Sequence, residues 1–130
     1  LVLISMIELF SDFLDFKDEK IVFIVFRKGN QVIIEINGPN DHLGGIGLGI
    51  PYLRKNNLFS ANFHSLSVPN HRDNEMAGRI AQIVAKNSKK IVLVILGIHF
   101  ENLETEELKE LINLGEKKAK EIGEKLSTFF

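Results

Sequence analysis

The sequence predicts an α+β fold: a two-layer sandwich, a largely antiparallel sheet with two helices, in the order β-β-β-β-α-β-α. Three observations carry this. The first half holds four short segments that are continuously apolar or alternate with period two, separated by turn residues. Two stretches with helical periodicity are confined to the second half. At 130 residues, 45% hydrophobic and 25% charged, the chain suits one domain around one core. Four consecutive strands imply an antiparallel meander, and two helices can cover one of its faces. The single domain is expected over 1–130 with its core at 20–127. Met6 is read as a candidate true start, and residues 1–6 are given little weight.

Residues 7–16 (IELFSDFLDF) are ambiguous, since Ile7, Phe10, Phe13 and Leu14 fit a helical face but the segment is short. Residues 17–20 form a polar turn. Residues 21–26 (IVFIVF) are β-branched and aromatic with no polar face, as in a strand covered on both sides. A helical layer covers one side, so a second subunit is expected on the other, giving a homo-oligomer. Gly29-Asn30 is a hairpin signal, and residues 31–36 (QVIIEI) return as its partner strand. After a turn-rich loop, residues 45–52 (GIGLGIPY) alternate, with Gly45, Gly47 and Gly49 on one face. Residues 59–66 (FSANFHSL) alternate again.

Pro69-Asn70 opens a helix, with Asn70 as N-cap and Asp73 acidic in the first turn. Its buried stripe is read as Met76, Ile80, Ile83 and Val84. Residues 91–98 (IVLVILGI) are the most apolar strand. A second helix begins near Thr105, with the stripe Leu108, Leu111, Ile112, Gly115, Ala119, Ile122 and Leu126. Gly115 and Ala119 lie one turn apart and permit a close neighbour.

Net charge is −1, without the basic excess of a nucleic-acid-binding protein. The absence of cysteine excludes disulfides, thiolate chemistry and Cys-type zinc sites, and fits a cytoplasmic protein. The apolar start lacks a basic leader and a small-residue cleavage site, so it is a poor signal peptide. No run approaches a membrane span of about 18 apolar residues.

Three of the four histidines punctuate element ends: His42 in Gly38-Pro39-Asn40-Asp41-His42-Leu43-Gly44-Gly45, His71 in Pro69-Asn70-His71-Arg72-Asp73, and His99 in Gly97-Ile98-His99-Phe100-Glu101-Asn102. Loop residues held by a rigid scaffold are where sites form, and these three are expected to converge on one cleft. The glycine face bares about 13 Å of strand; it admits either a flat ligand or a packed neighbour. The helix start suits an anion, with Arg72 as a charge-assisted fork. His99 has Glu101 and Asn102 near enough to orient it. Three histidines can hold zinc, but no paired metal motif supports that here. His64 reads as a surface histidine. No nucleophile elbow, P-loop or paired-carboxylate site is present.

These motifs, in this order, resemble the LpdD-like proteins, prenylated-flavin chaperones that accompany UbiD-type decarboxylases of hydroxyarylic acids. The resemblance covers roughly residues 20–127. It implies a fold similar to the small proteasome-assembly chaperones and a chaperone or accessory role. It also implies prenylated FMN or FMN as cofactor and a UbiD-type decarboxylase as partner. The positions it marks are Gly38, His42, Gly44, Pro69, His71, Arg72, Asp73, Gly97, His99 and Asn102. Asn40-Asp41 precede His42 where the family has a proline, and Asn70 stands where a glycine is usual. With the residue reading, the expected ligand-binding set is His42, Gly44, Gly45, Gly47, Gly49, Asn70, His71, Arg72, Asp73, His99 and Asn102. The flavin ring is expected on the glycine face and the phosphate at residues 70–73. Two alternatives remain: a small enzyme using His42, His71 or His99 as acid-base groups or metal ligands, and an assembly factor with no small ligand.

Overall fold

The computed structural model describes residues 6–40, 42–68 and 73–130. Six strands form one sheet: β1 (Met6–Phe16), β2 (Glu19–Lys28), β3 (Gln31–Asn37), β4 (Gly45–Leu53), β5 (Phe59–Ser67) and β6 (Val92–Gly97). The helices are α1 (Asp73–Ser88) and α2 (Thr105–Leu126). The fold is the α+β arrangement that the sequence predicts, with two differences. Residues 7–16, which pattern alone left ambiguous, are a strand, so five strands precede the first helix. The order across the sheet is β1-β2-β3-β6-β4-β5, so the four leading strands do not form one meander.

The first difference has a local cause. β1 pairs antiparallel with β2, but its register shifts between Glu8 and Phe10. A bulge of this kind breaks the two-residue alternation. Beyond it, Leu14 and Phe16 turn into the core while Phe13 lies on the opposite face. The second difference follows from where the most apolar strand must go. β6 inserts between β3, to which it is parallel, and β4, to which it is antiparallel. That is the central position in the sheet, where both edges are bonded and Val92, Val94 and Leu96 can be fully covered.

Both helices lie on one face. Ile21, Phe23 and Val25 of β2 and Ile34 and Ile36 of β3 are completely buried there with Ile122 and Leu126 of α2. Of the expected stripe of α1, Ile80 and Val84 are fully buried while Met76 and Ile83 are partly covered; Ala77, Ala81 and Ala85 complete the buried apolar face. α1 and α2 approach closely at Gly115, where an added Cβ would lie 2.6 Å from Met76 Cε, and Arg79 donates to Glu116 across them at 3.0 Å. Lys118 of α2 reaches Asp12 of β1 at 3.2 Å and Glu121 at 3.0 Å. α1 closes through Lys89, whose left-handed backbone (φ 60°) returns its N–H to the Ala85 carbonyl at 2.8 Å.

The other face carries no helix among the described residues. Ile24, Glu35, Ile95, Ile46 and Leu66 form one row across five strands. Phe26, Ile33, Leu93, Leu48 and His64 form the next. None of these side chains is buried.

Candidate functional site

Strand direction brings three loops to one end of the sheet. Asn37 pairs with Gly97, and Gly45 pairs with both Leu96 and Ser67. The segments after β3, after β5 and after β6 therefore all leave from the same edge. Backbone bonds tie them together. Gly44 N–H donates to Leu96 O at 3.1 Å, His99 N–H to Pro39 O at 3.1 Å, and Val68 N–H to Gly44 O at 3.0 Å. Phe100 packs edge-on against Phe16 with centroids 5.1 Å apart, anchoring the third loop to the core.

At this edge the rings of His42 and His99 meet, with centroids 6.4 Å apart and planes at 75°. The ring of His42 is fixed by Nδ1, 2.8 Å from the Asn40 carbonyl. A carbonyl can only accept, so Nδ1 carries the proton. Gly97 explains the crossing. A Cβ there would overlap the His42 carbonyl oxygen and lie 2.7 Å from its carbon. Gly97 shares the helix-free face with Leu93 and Ile95, so the loop at His42 passes over that side. Gly38 is less constrained: a Cβ there would lie 3.1 Å from the Ile98 side chain at Cγ2.

Of the expected site residues, His42, Gly44, Gly45, His99 and Asn102 lie at or beside this edge. Asn102 is exposed and left-handed (φ 56°), so it turns the chain, as does Asn40 (φ 53°). Asn70, the expected N-cap, lies outside the described residues, as do Pro69, His71 and Arg72. Asp73 is the first residue of α1, which starts at this end because Ala77 sits over Gly47 and Ala81 over Gly49.

Gly47 and Gly49 correct one expectation. Their face is not open. An added Cβ at Gly47 would overlap the Ala77 carbonyl and lie 2.5 Å from Gly78 N. At Gly49 it would overlap the Ala81 carbonyl and lie 3.0 Å from Ala85 Cβ. The glycines admit the helix backbone, so no flavin ring lies there. The fit is metric: four helical residues rise about 6 Å and two strand residues about 6.6 Å. The signal was present as Ala77, Ala81 and Ala85, a four-residue repeat of small side chains matching alternate glycines. Pro39, whose carbonyl orients the loop carrying His99, was also missed; the Pro39-Asn40 turn could have pointed to it.

His64 stands on the exposed face of β5, where it lines a shallow groove of about 380 Å³ with Ile46, Leu48, Leu66 and Leu93. Among the described residues no three His, Asp or Glu side chains are placed to hold a metal. The third loop ends in a capping box at α2: Glu107 accepts from the Glu104 N–H at 3.1 Å and pairs with Lys17 at 2.9 Å. The Lys17 hydrogen bond, then that backbone bond, hold the Glu107 carboxyl below its ordinary range. Among the described residues no helix is long and apolar enough to cross a membrane.

Residues 15–127, including this whole edge, match the family model described as the prenylated flavin chaperone LpdD-like domain. The chain belongs to that family. No curated protein matches the chain. Among solved structures it is similar to a chain from the "Crystal Structure of a Novel Chaperone Complex for Yeast 20S Proteasome Assembly". The TM-score is 0.59 at 12% identity, covering 95% of this chain and 99% of the other. At that identity the likeness speaks for the fold alone. In this LpdD-like chain the His42–His99 contact lies within the matched stretch.

Proposed function

We propose that this chain is a cytoplasmic accessory protein, not an enzyme, that binds a phosphorylated flavin, FMN or prenylated FMN, and assists a partner UbiD-type decarboxylase. The observation that carries the reading is the meeting of His42 and His99 from two loops far apart in sequence, within the stretch that matches the flavin-chaperone family. Two imidazoles offer flat faces and switchable donors to a heteroaromatic ring. Gly44 and Gly45 keep side chains away from its edge, and Asn102 holds the third loop in its turn. The phosphate is assigned to residues 70–73 from the sequence alone, because a helix start favours an anion and an arginine at 72 can supply a charge-assisted fork. Gly47 and Gly49 serve this arrangement indirectly, by letting α1 settle against β4.

The test is a thermal melt with and without FMN or prenylated FMN. Binding to the folded state raises the midpoint in proportion to saturation. Loss of a hydrogen bond from His99→Ala should weaken binding by roughly two- to tenfold, and Arg72→Ala by roughly ten- to a hundredfold. Absence of any stabilisation of the wild-type chain by either flavin would sink the reading and leave an assembly factor without a small ligand. Turnover of a hydroxyarylic acid by the chain alone would show it to be an enzyme.

A further inference from the structure

We propose that the end of the sheet opposite the histidines docks an acidic, leucine-bearing segment of a partner protein. The topology builds this end from three connections. Lys28 pairs with Gln31, Val32 with Val92, and Val92 with Gly49. The β2–β3 turn, the link from α1 to β6 and the β4–β5 hairpin therefore leave together, at the far end from His42 and His99. Cations come with them: Arg27 before the turn, Arg54 and Lys55 at the hairpin tip, and Lys86, Lys89 and Lys90 around the end of α1. Carboxylates gather at the other end, with Asp15 and Asp18 at the β1–β2 turn and Glu104, Glu106 and Glu107 at the start of α2. A net charge of −1 thus conceals a molecule with a positive pole and a negative one.

The positive pole is not neutralised from within. Among the described residues, Arg54, Lys55, Lys86 and Lys89 make no ion pair, whereas Lys17, Lys109 and Lys118 do. Glu8, opposite Phe26, and Glu124, beside Lys125, stand nearby but are too few to balance these cations. Cations here that do have partners face uncharged ones. Arg27 donates to the carbonyls of Gly29 and Phe129 at 2.8 and 3.0 Å, and Lys90 to Asn30 Oδ1 at 2.8 Å. Arg27 and Lys90 also lie over the Phe130 ring, and Lys89 over that of Phe59. Lys86 and Lys89 suit the helix dipole, but Arg54 and Lys55 stand on a hairpin, where no helix calls for them. Apolar side chains are exposed among the charges, Leu58 at 61% and Leu53 at 57%. The hairpin tip that presents them is held by Arg54 N–H donating to Leu58 O at 2.8 Å and Asn57 N–H to Arg54 O at 3.0 Å. Cations set around exposed leucines fit carboxylates interspersed with apolar side chains, as on a protein surface. A single-stranded nucleic acid instead needs open ring faces on which to stack its bases, and cations already lie over Phe59 and Phe130.

The probe is a fluorescein-labelled acidic peptide, glutamate with leucine at every third position, titrated with the full chain and followed by fluorescence anisotropy. Saturable binding is expected at physiological salt, weakening as salt rises. The same peptide with glutamine in place of glutamate should not bind. An exposed ion pair contributes a few-fold at most. Arg54→Glu combined with Lys55→Glu replaces attraction by repulsion at two positions, so it should raise the dissociation constant by about tenfold or more. Both side chains are exposed, so the fold is spared. Leu58→Ser should weaken binding as well, by removing the apolar half of the contact. Lys109→Glu, a reversal at the negative pole, should leave binding as it was. No binding of the acidic peptide to the wild-type chain overturns the proposal. So does equal binding of the glutamine peptide, or an equal loss with Lys109→Glu, which would reflect net charge alone. Tighter binding of oligouridylate or of phosphatidylserine vesicles than of the peptide would assign the pole to a nucleic acid or a membrane and overturn the protein partner. None of these readouts involves a flavin, so the result stands apart from the function proposed above.

Discussion

Gly47→Ala adds one methyl where strand and helix backbones touch. The new carbon would lie 2.5 Å from Gly78 N and overlap the Ala77 carbonyl. Ordinary contacts of this kind lie near 3.5 Å or beyond, so α1 must retreat from β4 by about 1 Å. Neither neighbour can yield as a side chain would, because both are main chain inside a regular helix. Overpacking of this kind costs about 1–3 kcal/mol. One term opposes it: replacing glycine restricts the unfolded chain and returns about 0.4–1 kcal/mol. The clash prevails, and a net loss of about 1–2 kcal/mol lowers the melting midpoint by roughly 4–8 °C in a domain of this size. Circular dichroism melts of wild type and variant measure it. Gly29→Ala is the control, because nothing lies within 4 Å of its Cβ and only the left-handed backbone (φ +59°) resists. An unchanged or raised midpoint for Gly47→Ala would show that the glycine face is not closed by α1, and would restore the open shelf that the sequence suggested.

Two further outcomes follow from the same edge. Gly97→Ala should push the His42 loop off the end of β6, separating the imidazoles with little loss of core packing; nitrogen-edited NMR of the two rings would report the change, and unaltered ring signals would refute the contact. Glu107→Gln removes a carboxyl whose folded pKa is lowered, chiefly by its hydrogen bond to Lys17. Its contribution is present above the unfolded value of about 4.3 and fades as pH falls through the folded value. The stability difference between wild type and variant should therefore shrink in acid, and a difference that grows below pH 4 would contradict the assignment.

The elements that alternate cleanly or are uniformly apolar were legible. β2 to β6 and the start of α2 at Thr105 stand close to where pattern alone places them. β1 was not, because its bulge scrambles the period on which recognition depends. The seating of β6 was not either, because pairing partners are decided by which strand most needs cover on both edges, a comparison among strands rather than a property of one. At the site, the motif order and the His42–His99 meeting were readable from glycine and proline punctuation. The role of Gly47 and Gly49 was not, since a bare strand looks the same whether it awaits a ligand or a helix. Alanines at matching intervals on α1 decided between them.

The central place of β6 also orders the chain's assembly in time. When synthesis has reached residue 91, β1, β2 and β3 can pair among themselves, and β4 can pair with β5, but nothing joins the two groups. Their inner edges, on β3 and β4, expose unpaired backbone beside apolar side chains until Val92–Gly97 slots between them. Closure waits on contacts distant in sequence, which slows folding and lengthens exposure to aggregation. A fragment ending before β6 should be the most adhesive form of this polypeptide, and one strand of six residues separates it from a closed sheet.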